Sequence, residues 1–171
     1  GRCAILFPHG VLFRDEESEM RRKMVDADVI DAVIGLGANL FYNSPMEACI
    51  VICRTTKPQE RKGKVLFIDA VNEVRRERAQ SFLTPDHIAR ITDAYRAFGD
   101  APGFAAVATI EAIAEQQHKL SIPLHVKRTT AAASSGGDLV EAVAAWRSSS
   151  VELRTAATEL FALLEAEDAA S

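Results

Sequence analysis

Over residues 1–128, short apolar runs alternate with charged stretches, and most of the runs are of strand length. Residues 3–7 (Cys-Ala-Ile-Leu-Phe) are apolar without a break and stop at Pro8 and Gly10. That pattern predicts a strand buried on both faces, inside a mostly parallel sheet. Residues 15–26 are different: Glu16, Glu17 and Glu19 precede Arg21, Arg22 and Lys23, a charge order that complements a helix dipole. Met20 and Met24, one turn apart, are expected to face the core. Residues 29–36 predict a second strand, making a βαβ unit. Residues 47–54 follow after a loop of about ten residues, too short for a crossover helix, and are expected to pair antiparallel with a neighbour. Residues 64–70 predict a further strand after the solvated turn 57–63.

Thr84 and Pro85 form a helix start, with Thr84 as N-cap and Gly99 as the expected C-cap. Between them Ile88, Ile91, Tyr95 and Phe98 share one helical face. Thr109 is expected to open a short helix toward Gln117. Residues 122–126 are expected to be extended, because Pro123 interrupts a helix.

The pattern changes after residue 128. Residues 129–137 (Thr-Thr-Ala-Ala-Ala-Ser-Ser-Gly-Gly) are small and uncharged and predict a linker. In residues 138–171, Leu139, Val143, Trp146, Ser150, Leu153, Ala157, Leu160 and Leu164 recur at alternating spacings of four and three, which predicts a long C-terminal helix with a heptad seam. Such a stripe needs a partner, with Trp146 as its anchor.

Composition narrows the class. With 171 residues and 48% hydrophobic content the chain can bury a core. The net charge of −4 is unevenly placed: residues 1–128 carry 18 Lys and Arg against 17 Asp and Glu, and residues 129–171 carry two against seven. The acidic tail therefore suits a protein contact better than DNA. Three cysteines without a Cys-x-x-Cys pair predict buried, reduced thiols rather than a zinc site. No run approaches the length of a membrane span and no signal-peptide layout is present, so a soluble, cytoplasmic protein is expected. The four histidines, His9, His87, His118 and His125, have no ligand spacing.

The block from Pro8 to Phe13, the run Asp31-Ala-Val-Ile-Gly-Leu-Gly-Ala-Asn-Leu-Phe-Tyr42 and the run from Ala48 to Cys53 resemble the modification subunits of type I restriction systems, which are N6-adenine DNA methyltransferases. The resemblance continues through Gly63 to Ala70, Leu83 to Ile88 and Asp93 to Phe98. It implies the C-terminal part of a Rossmann-like, S-adenosylmethionine-dependent α/β domain over residues 1–128, with parallel strands, a terminal antiparallel hairpin and then the long helix. It also implies a loop in which Asn39, Phe41 and Tyr42 lie beside the target adenine, Phe41 being preferred for stacking. The family's glycine-rich cofactor loop and Asn-Pro-Pro-Phe catalytic tetrapeptide do not occur here. The chain is therefore expected to be a C-terminal fragment, inactive alone, binding no cofactor by itself and completed by an N-terminal half. His9 replaces a more usual Asn, and Ser44 and Pro45 replace a Gly-Thr-Gly-like turn.

Two basic clusters are candidates for DNA phosphate contact: Lys57, Arg61 and Lys62, with Arg54 and Lys64 nearby, and Arg75 and Arg76, with Arg78 following. The expected partners are DNA, a specificity subunit and a restriction subunit, with Leu139, Val143, Trp146, Leu153, Leu160 and Leu164 forming the subunit-association seam. The alternative is a non-enzymatic assembly module that binds a specificity subunit through the same tail.

Overall fold

The computed structural model describes residues 1–41, 44–78 and 80–127, which lie within one compact unit spanning Gly1–Thr129. Five strands form its sheet in the order β1 (Arg2–Pro8), β3 (Ala48–Arg54), β2 (Ile30–Leu36), β4 (Lys64–Ala70) and β7 (Ala105–Thr109). A separate hairpin pairs β5 (Arg75–Glu77) with β6 (Gln80–Phe82). Helix α1 (Ser18–Asp26) joins β1 to β2, α2 (Pro85–Ala97) follows the hairpin, and α3 (Ile110–Glu115) and α4 (Ile122–His125) follow β7. One-turn 3-10 segments cover His9–Leu12 and Gln59–Arg61.

The apolar runs of β2 and β4 are continuous because both faces of the sheet are covered. Val33, Val51, Val65 and Phe67 pack on one side with Val25 of α1, Ile113 of α3 and Ile122 of α4. Ala32, Ile34, Leu66 and Ile68 pack on the other with Ile91 and Tyr95 of α2. Side chains of this size stabilise by roughly 1.5–3 kcal/mol each when fully buried.

Several expectations need correction. The sheet is mixed: only the β2–β4 pairing is parallel, while β1–β3, β2–β3 and β4–β7 are antiparallel. β1, β2 and β4 do run the same way, but the antiparallel β3 is inserted between β1 and β2 and a second antiparallel strand, β7, closes the far border, so the antiparallel strands do not form one terminal hairpin. β1 is an edge strand with only Phe7 partly buried. An apolar run reports burial only if something covers it, and here nothing among the described residues covers β1. Met20 is 41% exposed, whereas Met24 packs on the core. Ile88 is exposed while Ile91, Tyr95 and Phe98 pack inward. Residues Ile122–His125 form a helical turn rather than an extended segment, because Pro123 sits in the first turn, where a missing N–H costs nothing. The cap of α2 falls on Phe98, left-handed at φ 48°, not on Gly99. Cys3 is exposed, so the expected burial holds for Cys49 and in part for Cys53.

Thr84 does cap α2, its Oγ1 accepting from the His87 N–H at 3.3 Å while His87 Nδ1 accepts from the Thr84 N–H. The seam residues Leu139, Val143, Trp146, Leu153, Leu160 and Leu164, and the linker 129–137, lie outside the described residues.

Candidate target-base loop

Because β1, β2 and β4 point the same way, their carboxyl ends lie along one edge of the sheet, the edge at which open α/β sheets bind ligands. Three connections converge there: the 3-10 turn after β1, the loop 37–47 after β2 and the β5–β6 hairpin after β4.

The loop is fixed at its start. A Cβ at Gly37 would lie 2.5 Å from the Val71 carbonyl oxygen and 2.8 Å from Val74 Cγ1, so the backbone passes where only glycine fits. Asn39 is left-handed at φ 61°, a conformation its short polar side chain tolerates. Its carbonyl accepts the Ser81 N–H at 2.8 Å, which fastens the loop to the hairpin. Leu40 packs on the core beneath α2. Phe41 follows, 37% exposed, and its carbonyl accepts the Ser44 N–H at 3.1 Å to close a tight turn. Tyr42 lies outside the described residues.

The far end of the loop is fixed as well. The His9 N–H donates to the Glu47 carbonyl at 3.2 Å, and His9 Nδ1 stands 3.2 Å from Glu47 Oε2. His9 thus joins the turn after β1 to the loop. Between them opens a cleft of about 190 Å3, lined chiefly by Leu6, Pro8, Phe41, Met46 and Ala48.

The basic residues separate cleanly. Lys57 and Arg61 are corrected as phosphate contacts, because both are buried and occupied. Lys57 Nζ reaches Asp28 Oδ1 at 2.5 Å and the Lys64 carbonyl at 2.7 Å. Arg61 pairs with Asp31 at 3.1 Å, donates to the Tyr95 and Arg96 carbonyls at the end of α2, and stacks 4.3 Å from the Phe98 ring centroid. Lys62, Arg75 and Arg76 are exposed, with Arg75 Nε 3.0 Å from Glu77. Only the second cluster stands beside the loop, through the Ser81–Asn39 bond.

The centre of this network, Asp31, is fully buried and takes Arg54 at 3.0 Å, Arg61 at 3.1 Å and the Tyr95 hydroxyl at 2.7 Å. Sequence reasoning passed over it, although an aspartate inside a buried apolar strand is itself the signal that cations must converge there. Arg21 was passed over too. It is buried, donates to the Val11, Arg14 and His118 carbonyls, and burial lowers its pKa. Among the described residues no three His, Cys, Asp or Glu side chains gather as a metal site, and no helix is long and apolar enough to cross a membrane.

The family model for N-6 DNA methylases matches residues 1–134. The chain belongs to that family. As an N-6 DNA methylase family member it is 38% identical over 129 residues to the MjaVIII type I restriction enzyme methylase subunit of Methanocaldococcus jannaschii, covering 73% of this chain and 22% of that one. It is 31% identical over 127 residues to the MpnII methylase subunit of Mycoplasma pneumoniae, covering 74% and 23%. Among solved structures, the type I restriction-modification methyltransferase subunit of Streptococcus thermophilus superposes with a TM-score of 0.69 at 37% identity, over 74% of this chain and 27% of that one. A structure concerned with assembly of a type I system shares the fold at a TM-score of 0.54 and 19% identity, over 96% of this chain and 36% of that one. The chain therefore spans about a quarter of the length of the methylase subunits it matches.

Proposed function

We propose that this chain forms the target-base face of an adenine-N6 DNA methyltransferase subunit of a type I restriction-modification system. The observation that carries this reading is the loop 37–47: it stands at the carboxyl ends of the strands, presents Phe41 over an apolar cleft and is bonded to the fold at both ends. An exocyclic amine is reached only when its base leaves the duplex, and a braced aromatic offers that base a stacking surface of about 1–3 kcal/mol. Asn39 holds the backbone turn, Phe41 stacks with Tyr42 as the second aromatic of the target-base loop, and Lys62, Arg75 and Arg76 meet phosphates.

Methyl transfer needs more than these residues supply. The apolar cleft is smaller than the roughly 300–1,000 Å3 of an ordinary ligand pocket and has little to hold a charged nucleoside, so S-adenosylmethionine does not fit it. In our reading the donor site and the catalytic tetrapeptide lie on the N-terminal part of the complete enzyme, within a Rossmann-like sheet. β1 supports this: it exposes Ile5 and Leu6, and no described strand takes its outer edge. The heptad spacing of Leu139, Val143, Trp146, Leu153, Leu160 and Leu164 supports docking of a specificity subunit by residues 138–171, with the restriction subunit joining the full complex.

The test is reconstitution with an N-terminal polypeptide bearing the tetrapeptide, plus specificity subunit, on two DNA duplexes: one with adenine at the target for methyl transfer and one with 2-aminopurine there for base flipping. Phe41→Ala is expected to lower kcat/KM about 5–150-fold, the equivalent of one lost stack, and to leave the flipped base brighter. Methyl transfer by the isolated chain, or an unchanged kcat/KM for Phe41→Ala, overturns the proposal.

A further inference from the structure

Cys3 of β1 and Cys53 of β3 are direct partners across the antiparallel ladder. They belong to its hydrogen-bonded pairs, because pairs at the same alternation, Gly1 with Thr55 and His9 with Glu47, are joined by N–H···O=C bonds of 3.1 and 3.2 Å. Partners of this kind hold their Cα atoms about 5.5 Å apart with both side chains on one face of the sheet, within the roughly 4.4–6.8 Å span of a disulfide. The two thiols sense each other electrostatically, Cys3 being among the groups that raise the Cys53 pKa. Cys49, by contrast, faces Phe7 across the same ladder and has no sulfur opposite it.

We propose that Cys3 and Cys53 form an intramolecular cross-strand disulfide, a modification site that staples the edge strand into the sheet, on exposure to a low-molecular-weight disulfide such as glutathione disulfide. Cys3 is exposed and reacts first. Its thiolate attacks one sulfur of glutathione disulfide, forming a mixed disulfide and releasing one glutathione thiolate. Cys53 then gives up its proton and attacks the Cys3 sulfur. The protein S–S bond forms, the bond to glutathione breaks and the second glutathione departs. Two protein thiols are oxidised and one glutathione disulfide is reduced to two thiols. The second step is the slow one, because burial holds the Cys53 thiol up at about 11, with Cys3 and Asp31 adding to the rise and Lys57 opposing it.

The experiment incubates the full 171-residue chain with glutathione disulfide and maps the products by mass spectrometry. The expected result is loss of two hydrogens, a peptide cross-linked between Cys3 and Cys53, one titratable thiol at Cys49, and slower amide exchange along β1. Cys53→Ser is expected to stop at a lasting glutathione adduct on Cys3, whereas Cys49→Ser is expected to cross-link like the parent. A lasting adduct on Cys3 of the parent chain, an intermolecular Cys3–Cys3 bond as the main product, or three free thiols overturns the proposal.

Discussion

The Ser81 backbone N–H donates to the Asn39 carbonyl at 2.8 Å, so a hairpin following β4 holds a loop following β2. A two-stranded hairpin is marginal by itself, and loop and hairpin therefore support each other. Asn39 must stay left-handed for its carbonyl to point at Ser81. Asn39→Val is expected to cost about 1–2 kcal/mol by strain, and Asn39→Gly to be close to neutral. Urea unfolding of the two variants checks this, with an unchanged midpoint for Asn39→Val as the contrary result.

Gly37 sets a steric limit at the same place. With the Val71 carbonyl 2.5 Å from where a Cβ would sit, Gly37→Ala is expected to destabilise by about 1–3 kcal/mol as the β4–β5 connection shifts. Amide exchange should quicken at Ser81 before it does in β2.

The Asp31 network is expected to be the most costly to break. Asp31→Asn leaves the Arg54 and Arg61 cations without their shared anion, one of them buried, a loss of about 3–5 kcal/mol. Its buried geometry predicts little relief or penalty from added salt. A stability loss that vanishes at high ionic strength would show the pairing to be solvent-screened.

The two basic clusters should separate in one measurement on the reconstituted complex. Arg75→Ala and Arg76→Ala are each expected to reduce the slope of log affinity for DNA against log salt by about one contact, without altering the melting of the chain. Lys57→Ala is expected to leave that slope unchanged and to lower stability by about 1–3 kcal/mol, because Asp28 and the Lys64 carbonyl lose their donor. Equal slopes for parent, Arg75→Ala and Arg76→Ala would remove the hairpin from the DNA contact.

His125 makes stability depend on pH. Its ring stacks 4.0 Å from the Phe67 ring centroid, and burial lowers its pKa below the ordinary 6.5, partly countered by the Lys119 carbonyl. The fold therefore prefers the neutral ring, so the unfolded chain takes up a proton first. The stabilisation is complete above about 6.5 and is lost as pH falls through the lowered folded value. Denaturant midpoints measured down to about pH 5 should decline, and His125→Gln should flatten that decline.

Much of the sheet could be read in advance because burial on both faces leaves a continuous apolar run, as in β2 and β4. The same run in β1 misled, since an edge strand paired on one side and a central strand share one local pattern and differ only in their neighbours. Pro123 misled because one position decides whether proline breaks a helix or begins it. Lys57 and Arg61 looked like surface cations since their partners, Asp28 and Asp31, lie about thirty residues away, beyond any periodicity argument. At the site, the Asn39-Leu40-Phe41 block was visible as a loop motif, whereas its two anchoring bonds to Ser81 and His9 are backbone contacts that leave no residue-type signature.

The two borders of the sheet are built differently. At β7 the Val107 N–H is capped by Asp100 Oδ1 at 2.7 Å and Ala101 pairs back onto Ala105, so that border accepts no further strand. The border at β1 carries no such closure among the described residues. A sheet with one open margin can pair with a single further strand and then stops. Self-association of the five-stranded sheet through that border would end at a two-fold dimer rather than an open-ended fibre.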